Sequence, residues 1–124
     1  MKDKLEAVLR KYSRYPEYLG IDLVRPDQPG AFDDTLLHLT ARTGAIDDLL
    51  VLIEAGANVN VIGDIGNTPL HGAAMKGRVE SIRLLLDHGA NPDITNEFKQ
   101  TALEVAELGN HNSVVEILKP LTRK

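Results

Sequence analysis

Apolar residues recur along this chain in short blocks of helical spacing, separated by stretches rich in glycine, asparagine and proline. Leu70, Ala73 and Ala74 lie at positions i, i+3 and i+4, which places small apolar groups on one face of a helix. A second apolar block, residues 82–86, follows within a few positions. The pattern therefore predicts two short helices in close succession.

The residues around these two blocks predict where each helix begins and ends. The hydroxyl of Thr68 suits a helix N-cap, and Pro69 suits the first helical position, where a missing N–H does no harm. Gly77 and Gly89 follow the two blocks, and glycine readily adopts the positive φ that ends a helix. The predicted unit is a helix, a turn, a second helix and a loop.

This unit repeats with a period of 33 residues, seen first in Thr35, Thr68 and Thr101. Gly44 and Gly77 keep the same spacing, as do residues 56–58 and 89–91, which both read Gly-Ala-Asn. A single unit of this size cannot bury its apolar face alone, so the units are expected to stack. The repeat divides the chain into an N-terminal segment 1–29 and the units 30–62, 63–95 and 96–124.

The residues of the unit resemble the ankyrin repeat. Residues 68–74, Thr-Pro-Leu-His-Gly-Ala-Ala, match the first-helix signature of that family, and residues 52–60 and 84–91 match the end of its second helix. The resemblance covers roughly residues 30–121. It implies an all-α solenoid of about three helix-turn-helix units with short hairpin loops. It also implies that His38 and His71 are structural residues that bond to the backbone of a neighbouring loop.

The third unit departs from this signature at two positions. Thr101 and Glu104 fit a capping box, which indicates that a local cap replaces the role of the histidine. Asn110 stands where the other units have Gly44 and Gly77, and asparagine is the next most suitable residue for positive φ.

The first 29 residues lie outside the repeat. Leu5, Val8, Leu9 and Tyr12 have the spacing of an amphipathic helix, and residues 15–30 are expected to be largely irregular. Because a stack needs end units that shield its apolar face, we expect this helix to cap the first unit. The alternative is an arm that binds a partner or forms a dimer.

Composition and charge disfavour some classes of function but do not identify one. The formal charge of −4 is unevenly distributed: positions 1–15 have five basic and two acidic residues, net +3, positions 16–98 have five basic and thirteen acidic residues, net −8, and positions 99–124 have four basic and three acidic residues, net +1. This acidic body disfavours nucleic acid and either attracts a basic partner or serves solubility alone. The charged N-terminus does not resemble a signal peptide, and no apolar run could span a bilayer. We expect a cytoplasmic monomer that does not bind membranes.

No pattern in the chain indicates catalysis, a metal site or a cofactor. The chain has no cysteine, and its four histidines lack a second ligand at a spacing typical of zinc sites. Asp33-Asp34 and Asp47-Asp48 are adjacent pairs, whose members do not face one another on a helix. Residues 63–67 lack the lysine of a phosphate-binding loop. We expect a non-catalytic protein.

Apolar residues also recur where stacking does not require them. Phe32, Ile65 and Phe98 stand three residues before the three threonines, at the expected loop tips. Exposed apolar groups in a row suggest a protein interface, although these side chains could instead fold back and stiffen the stack. The same face is expected to include further residues from the tips and, by family resemblance, from the first helices: Asp34, Asp64, Asn67, Glu97 and Gln100, with Arg42, Met75 and Lys76.

The sequence thus predicts a module that binds a protein partner through loop tips and a concave face. Some small bacterial proteins of the family it resembles are similar to immunity proteins that block a toxin, and the acidic body would suit a basic toxin domain. The alternative is a general adaptor or a regulatory subunit of another enzyme or complex.

Overall fold

A computed structural model of the chain describes residues 2–19, 23, 28–30 and 33–123. Within these ranges the chain forms seven α-helices and two short 3-10 turns, Pro16–Tyr18 and Asp64–Gly66. The α-helices are α1 (Lys2–Tyr12), α2 (Leu36–Thr43), α3 (Ile46–Glu54), α4 (Pro69–Met75), α5 (Val79–Asp87), α6 (Ala102–Leu108) and α7 (Asn112–Leu118). None of the described helices has the length and apolar character needed to cross a membrane.

Six of these helices form three antiparallel pairs, α2 with α3, α4 with α5, and α6 with α7, which stack in the order of the chain. The first helices pack on one another from unit to unit, and the second helices form a neighbouring layer. Small side chains such as Ala41, Ala73 and Ala106 are fully buried, and they allow the first helices to approach closely. The predicted all-α solenoid of three helix-turn-helix units is confirmed.

Each first helix begins at one of the repeated threonines. The hydroxyls of Thr35, Thr68 and Thr101 accept hydrogen bonds from backbone N–H groups of the first helical turn. A side chain three residues later accepts a hydrogen bond from the N–H of each threonine in return. All three units therefore have a capping box, with His38 or His71 as the reciprocal partner in the first two and Glu104 in the third.

The two histidines also bond to the following unit, which the local cap does not explain. His38 Nε2 donates to the carbonyl oxygen of Asn67 (2.9 Å), and His71 Nε2 donates to that of Gln100 (2.9 Å). Nδ1 accepts from the threonine N–H in each case, so the proton lies on Nε2. In the third unit Glu104 forms the same local cap with Thr101.

The predicted N-terminal helix is present as α1. Val8, Leu9 and Tyr12 are buried, and the helix packs on α3 much as α3 packs on α5. At this contact the Tyr12 hydroxyl and Lys11 Nζ both donate to Asp48 Oδ2, each at 2.7 Å.

The environment of Asp48 stabilises its charged form. Burial by itself raises the pKa of the carboxyl, but the hydrogen bonds from Lys11 and Tyr12 together outweigh it, so the pKa lies below its ordinary value. Asp47 and Asp48 also lie in the first turn of α3, where negative charge is favourable.

Candidate functional site

The loops that precede the first helices end in short hairpin tips of one design. In the second unit the N–H of Gly63 donates to the carbonyl oxygen of Asn67 (2.9 Å), and in the third the N–H of Asn96 donates to that of Gln100 (3.0 Å). The turn contains a residue with positive φ in every unit: Asp33 in the first, Gly66 in the second and Lys99 in the third. The tips are thus turns defined by their backbone, and the residues with positive φ are themselves 33 positions apart.

Hydrogen bonds between neighbouring tips hold them in a row. The carboxylate of Asp34 accepts from the N–H of Asp64 (3.0 Å). The carbonyl oxygen of Ile65 accepts from the N–H of Glu97 (2.9 Å). Each described tip is therefore fixed by its own turn and by its neighbour.

Asn96 organises the tip of the third unit. Its side-chain oxygen accepts from the N–H groups of Phe98 (2.9 Å) and Gln100 (3.1 Å), and its amide nitrogen donates to Asn67 Oδ1 (3.0 Å). The side chain is buried and satisfied on both sides. A single asparagine thus fixes the backbone around Phe98 and joins it to the second tip.

A groove of about 330 Å³ lies between these two tips and the first helices α4 and α6. Four large apolar side chains on it are exposed to solvent: Ile65 (39%), Met75 (46%), Phe98 (67%) and Leu108 (72%). The remaining lining residues are Asn67, Asn96, Gln100, Val105 and Gly109. The groove therefore combines an apolar surface with a few amide groups, a composition common in binding sites.

Five residues expected from the sequence meet in this groove: Ile65, Asn67, Met75, Phe98 and Gln100. Asp64, Lys76 and Glu97 are exposed next to it in the chain but do not line it. Phe32 lies outside the described residues.

The two remaining expected residues are engaged within the protein. Asp34 and Arg42 form an ion pair with an Oδ2–Nη1 distance of 3.2 Å, and the second carboxylate oxygen of Asp34 holds the N–H of Asp64. Both side chains are partly buried. Asp34 therefore joins two tips.

Comparison with known proteins identifies the architecture. A family model described as ankyrin repeats (3 copies) matches residues 19–96 and 37–122. The chain belongs to the ankyrin repeat family. Ankyrin repeats generally act as protein–protein interaction modules and are typically non-catalytic. No curated protein matches the chain significantly.

Four of the nine lining residues were not expected from the sequence (Asn96, Val105, Leu108 and Gly109), and the ankyrin period would have found Leu108. Leu108 stands 33 residues after Met75 and 66 after Arg42, in the last turn of its first helix. The site expectation included the first two residues of this series and omitted the third. At 72% exposure, the Leu108 side chain is more exposed than the other large apolar side chains on the groove.

The ankyrin histidines do not offer acid–base chemistry at this surface. Burial lowers the pKa of both His38 and His71, so both are neutral near pH 7, and both ring nitrogens of each are engaged. Among the described residues, no three His, Asp or Glu side chains lie close enough together to hold a metal ion.

Ile65 has an unusual backbone for its residue type. Its φ of 59° and ψ of 20° lie in the left-handed region, which a β-branched residue rarely adopts. Such a conformation costs on the order of 1–2 kcal/mol relative to glycine. The ankyrin tip of the second unit thus contains strain at a residue that lines the groove.

Proposed function

We propose that this chain is a non-catalytic binding module that takes an apolar segment of a protein partner into the groove between its second and third tips. The observation that carries the proposal is the cluster of Ile65, Met75, Phe98 and Leu108 around one groove. A contiguous group of exposed large apolar side chains is costly to leave in water and is typical of an interface.

The fixed backbone of the tips supports the same proposal. The bonds between tips and the buried amide of Asn96 set the positions of Ile65 and Phe98 before any partner arrives. A preformed surface loses little conformational freedom on association, so more of the contact energy appears as affinity.

The expected affinity for the partner is moderate. Burying one large apolar side chain contributes roughly 1.5–3 kcal/mol. Association itself opposes binding by several kcal/mol, so about four such groups acting together would support affinity near the micromolar range.

Charge supports a basic partner. Asp64 and Glu97 are exposed at the two tips, and neither forms an ion pair with a residue that the structure describes. Lys76 and Lys99 lie nearby, but positions 16–98 as a whole carry net −8 from five basic and thirteen acidic residues. A positively charged protein would be attracted by this field, and its association rate would fall with added salt.

Two biological roles are compatible with such a module. It would neutralise a basic toxin domain as an immunity protein, or it would act as an adaptor or regulatory subunit of another complex. The acidic body supports the first role, because a basic nuclease-like domain would be attracted strongly. Mass spectrometry of co-purified proteins distinguishes the two, since the first role requires a basic toxin domain and the second a cellular complex.

The test of the proposal is capture with matched variants. Wild type, Phe98→Ala/Leu108→Ala and the control Ile62→Ala/Leu121→Ala would each be used as bait, because Ile62 and Leu121 are exposed apolar residues that do not line the groove. A partner retained by wild type and control but lost by the groove variant supports the proposal. Equal retention by all three contradicts it.

A further inference from the structure

Nothing within the fold explains why a β-branched residue stands at position 65, where φ is positive. Asp33, Lys99 and Asn110 also have positive φ, but among the described non-glycine residues with positive φ only Ile65 is β-branched. Its counterpart in the third unit, Phe98, is outside that region. We propose that isoleucine is kept at this position because its side chain is a specificity-determining contact for the partner, an inference that rests on the proposed binding function of the groove.

The turn itself does not depend on the isoleucine side chain. The carbonyl oxygen of Ile65 is held by the N–H of Glu97, and the N–H of Asp64 is held by the carboxylate of Asp34. Gly66 packs so closely on the third tip that an added Cβ would lie 3.0 Å from Glu97 N. None of these contacts involves a side-chain atom of residue 65, so another residue at this position could form the same turn.

Burial does not compensate for the strain either. The Ile65 side chain is 39% exposed and is absent from the buried core. Asparagine adopts the left-handed region far more readily than isoleucine, so the free protein would be more stable with asparagine at this position. Strain that persists at an exposed residue on a groove is characteristic of a functional site.

The chemistry of the groove indicates what Ile65 contacts. A volume of about 330 Å³ accommodates one bulky side chain and its neighbours better than a whole domain surface. The acidic groups of Asp64 and Glu97 flank the two tips. The occupant is therefore an extended peptide segment of the partner that inserts one large aliphatic or aromatic residue and carries lysine or arginine beside it.

The experiment uses a random peptide library displayed on phage, selected on the full chain. The selected peptides are synthesised, and their affinities are measured for wild type, Ile65→Asn, Phe98→Ala/Leu108→Ala and the control Ile62→Asn. Thermal unfolding is recorded for the same proteins. Ile62 is a suitable control because it is exposed, lies three residues away and has no positive φ.

The expected result for Ile65→Asn is higher stability together with weaker peptide binding, a combination that a residue with only a structural role would not produce. Ile65→Asn should raise the melting temperature by a few degrees and weaken peptide binding about tenfold, whereas Ile62→Asn should change neither. A lower melting temperature or unchanged affinity in Ile65→Asn overturns this inference, even if Phe98→Ala/Leu108→Ala abolishes binding and the proposed function stands. Peptides that bind all variants equally, or no selected peptide at all, contradict the proposed function and this inference with it.

Discussion

At the scale of single residues, the histidines of the first two units stabilise the stack through bonds in two directions. His71 caps its own helix at Thr68 and bonds to the carbonyl of Gln100 in the next unit. Glu104 forms the same kind of local cap with Thr101. The two positions are equivalent in the repeat, so comparing them shows how much the bond from His71 to the next tip adds to the cap.

His71→Ala should therefore destabilise the protein more than Glu104→Ala. Removing the histidine leaves the buried N–H of Thr68 without a partner and takes one of two hydrogen bonds from the carbonyl oxygen of Gln100, at about 2–3 kcal/mol in total. Loss of the glutamate cap should cost about 1 kcal/mol. Urea unfolding measures both free energies, and equal losses would show that the link to Gln100 contributes nothing.

The same residues predict how stability depends on pH. Burial lowers the pKa of His38 and His71 in the folded state below the ordinary value of 6.5, so the unfolded chain takes up protons first as the pH falls. Their contribution to stability is complete above pH 6.5 and is lost as the pH falls below that value toward the folded-state pKa.

Urea unfolding at about pH 7.5 and about pH 5.5 tests this dependence. We expect a lower free energy of unfolding at the acidic value and a smaller difference in His71→Gln. A free energy that does not change between the two conditions would contradict the assignment of these histidines as buried and neutral.

At the scale of elements, α1 takes the place of a preceding second helix. Asp48 occupies the position that Ser81 and Val114 occupy in the later units, and it bonds to Lys11 and Tyr12 of α1. The contact between α1 and the stack thus combines these polar bonds with an apolar part in which Val8, Leu9 and Tyr12 are buried.

Deleting residues 1–14 should lower the melting temperature by several degrees, because the apolar face of α3 would meet water. Asp48→Ser, which introduces the residue of the second unit, should lower it less, since only the hydrogen bonds to Lys11 and Tyr12 are lost. Thermal unfolding followed by circular dichroism measures both changes. An unchanged melt after the deletion would show that α1 is an arm and not a cap.

Much of the element structure follows from the sequence because its causes are local. Threonine caps, the positive φ of Gly77 and Asn110, and the apolar spacing of α1 all depend on neighbouring residues. The pairing of Asp34 with Arg42 and of Asp48 with Tyr12 depends on the relative placement of separate elements, which residue spacing does not specify. The left-handed backbone of Ile65 was missed because it runs against the preference of a β-branched residue, so the residue type gives no signal for it.

At the scale of the whole molecule, stacking brings side chains from successive units together on one surface. Positions that stacking requires are buried, whereas Ile65, Met75, Phe98 and Leu108 remain exposed around the groove. The period predicted the tip residues Ile65 and Phe98, and the shared groove emerged only when the tips and first helices were placed together. The surrounding charge favours a basic partner for this surface.

The claim that this groove binds a partner, and does not merely stiffen the stack, is tested most directly by isothermal titration calorimetry with the purified partner. Phe98→Ala/Leu108→Ala should weaken affinity at least about a hundredfold, since two exposed apolar contacts are lost, with a melting temperature near that of wild type. The control Ile62→Ala/Leu121→Ala should bind as wild type does. Unchanged affinity in the groove variant, together with a melting temperature several degrees lower, would contradict the account.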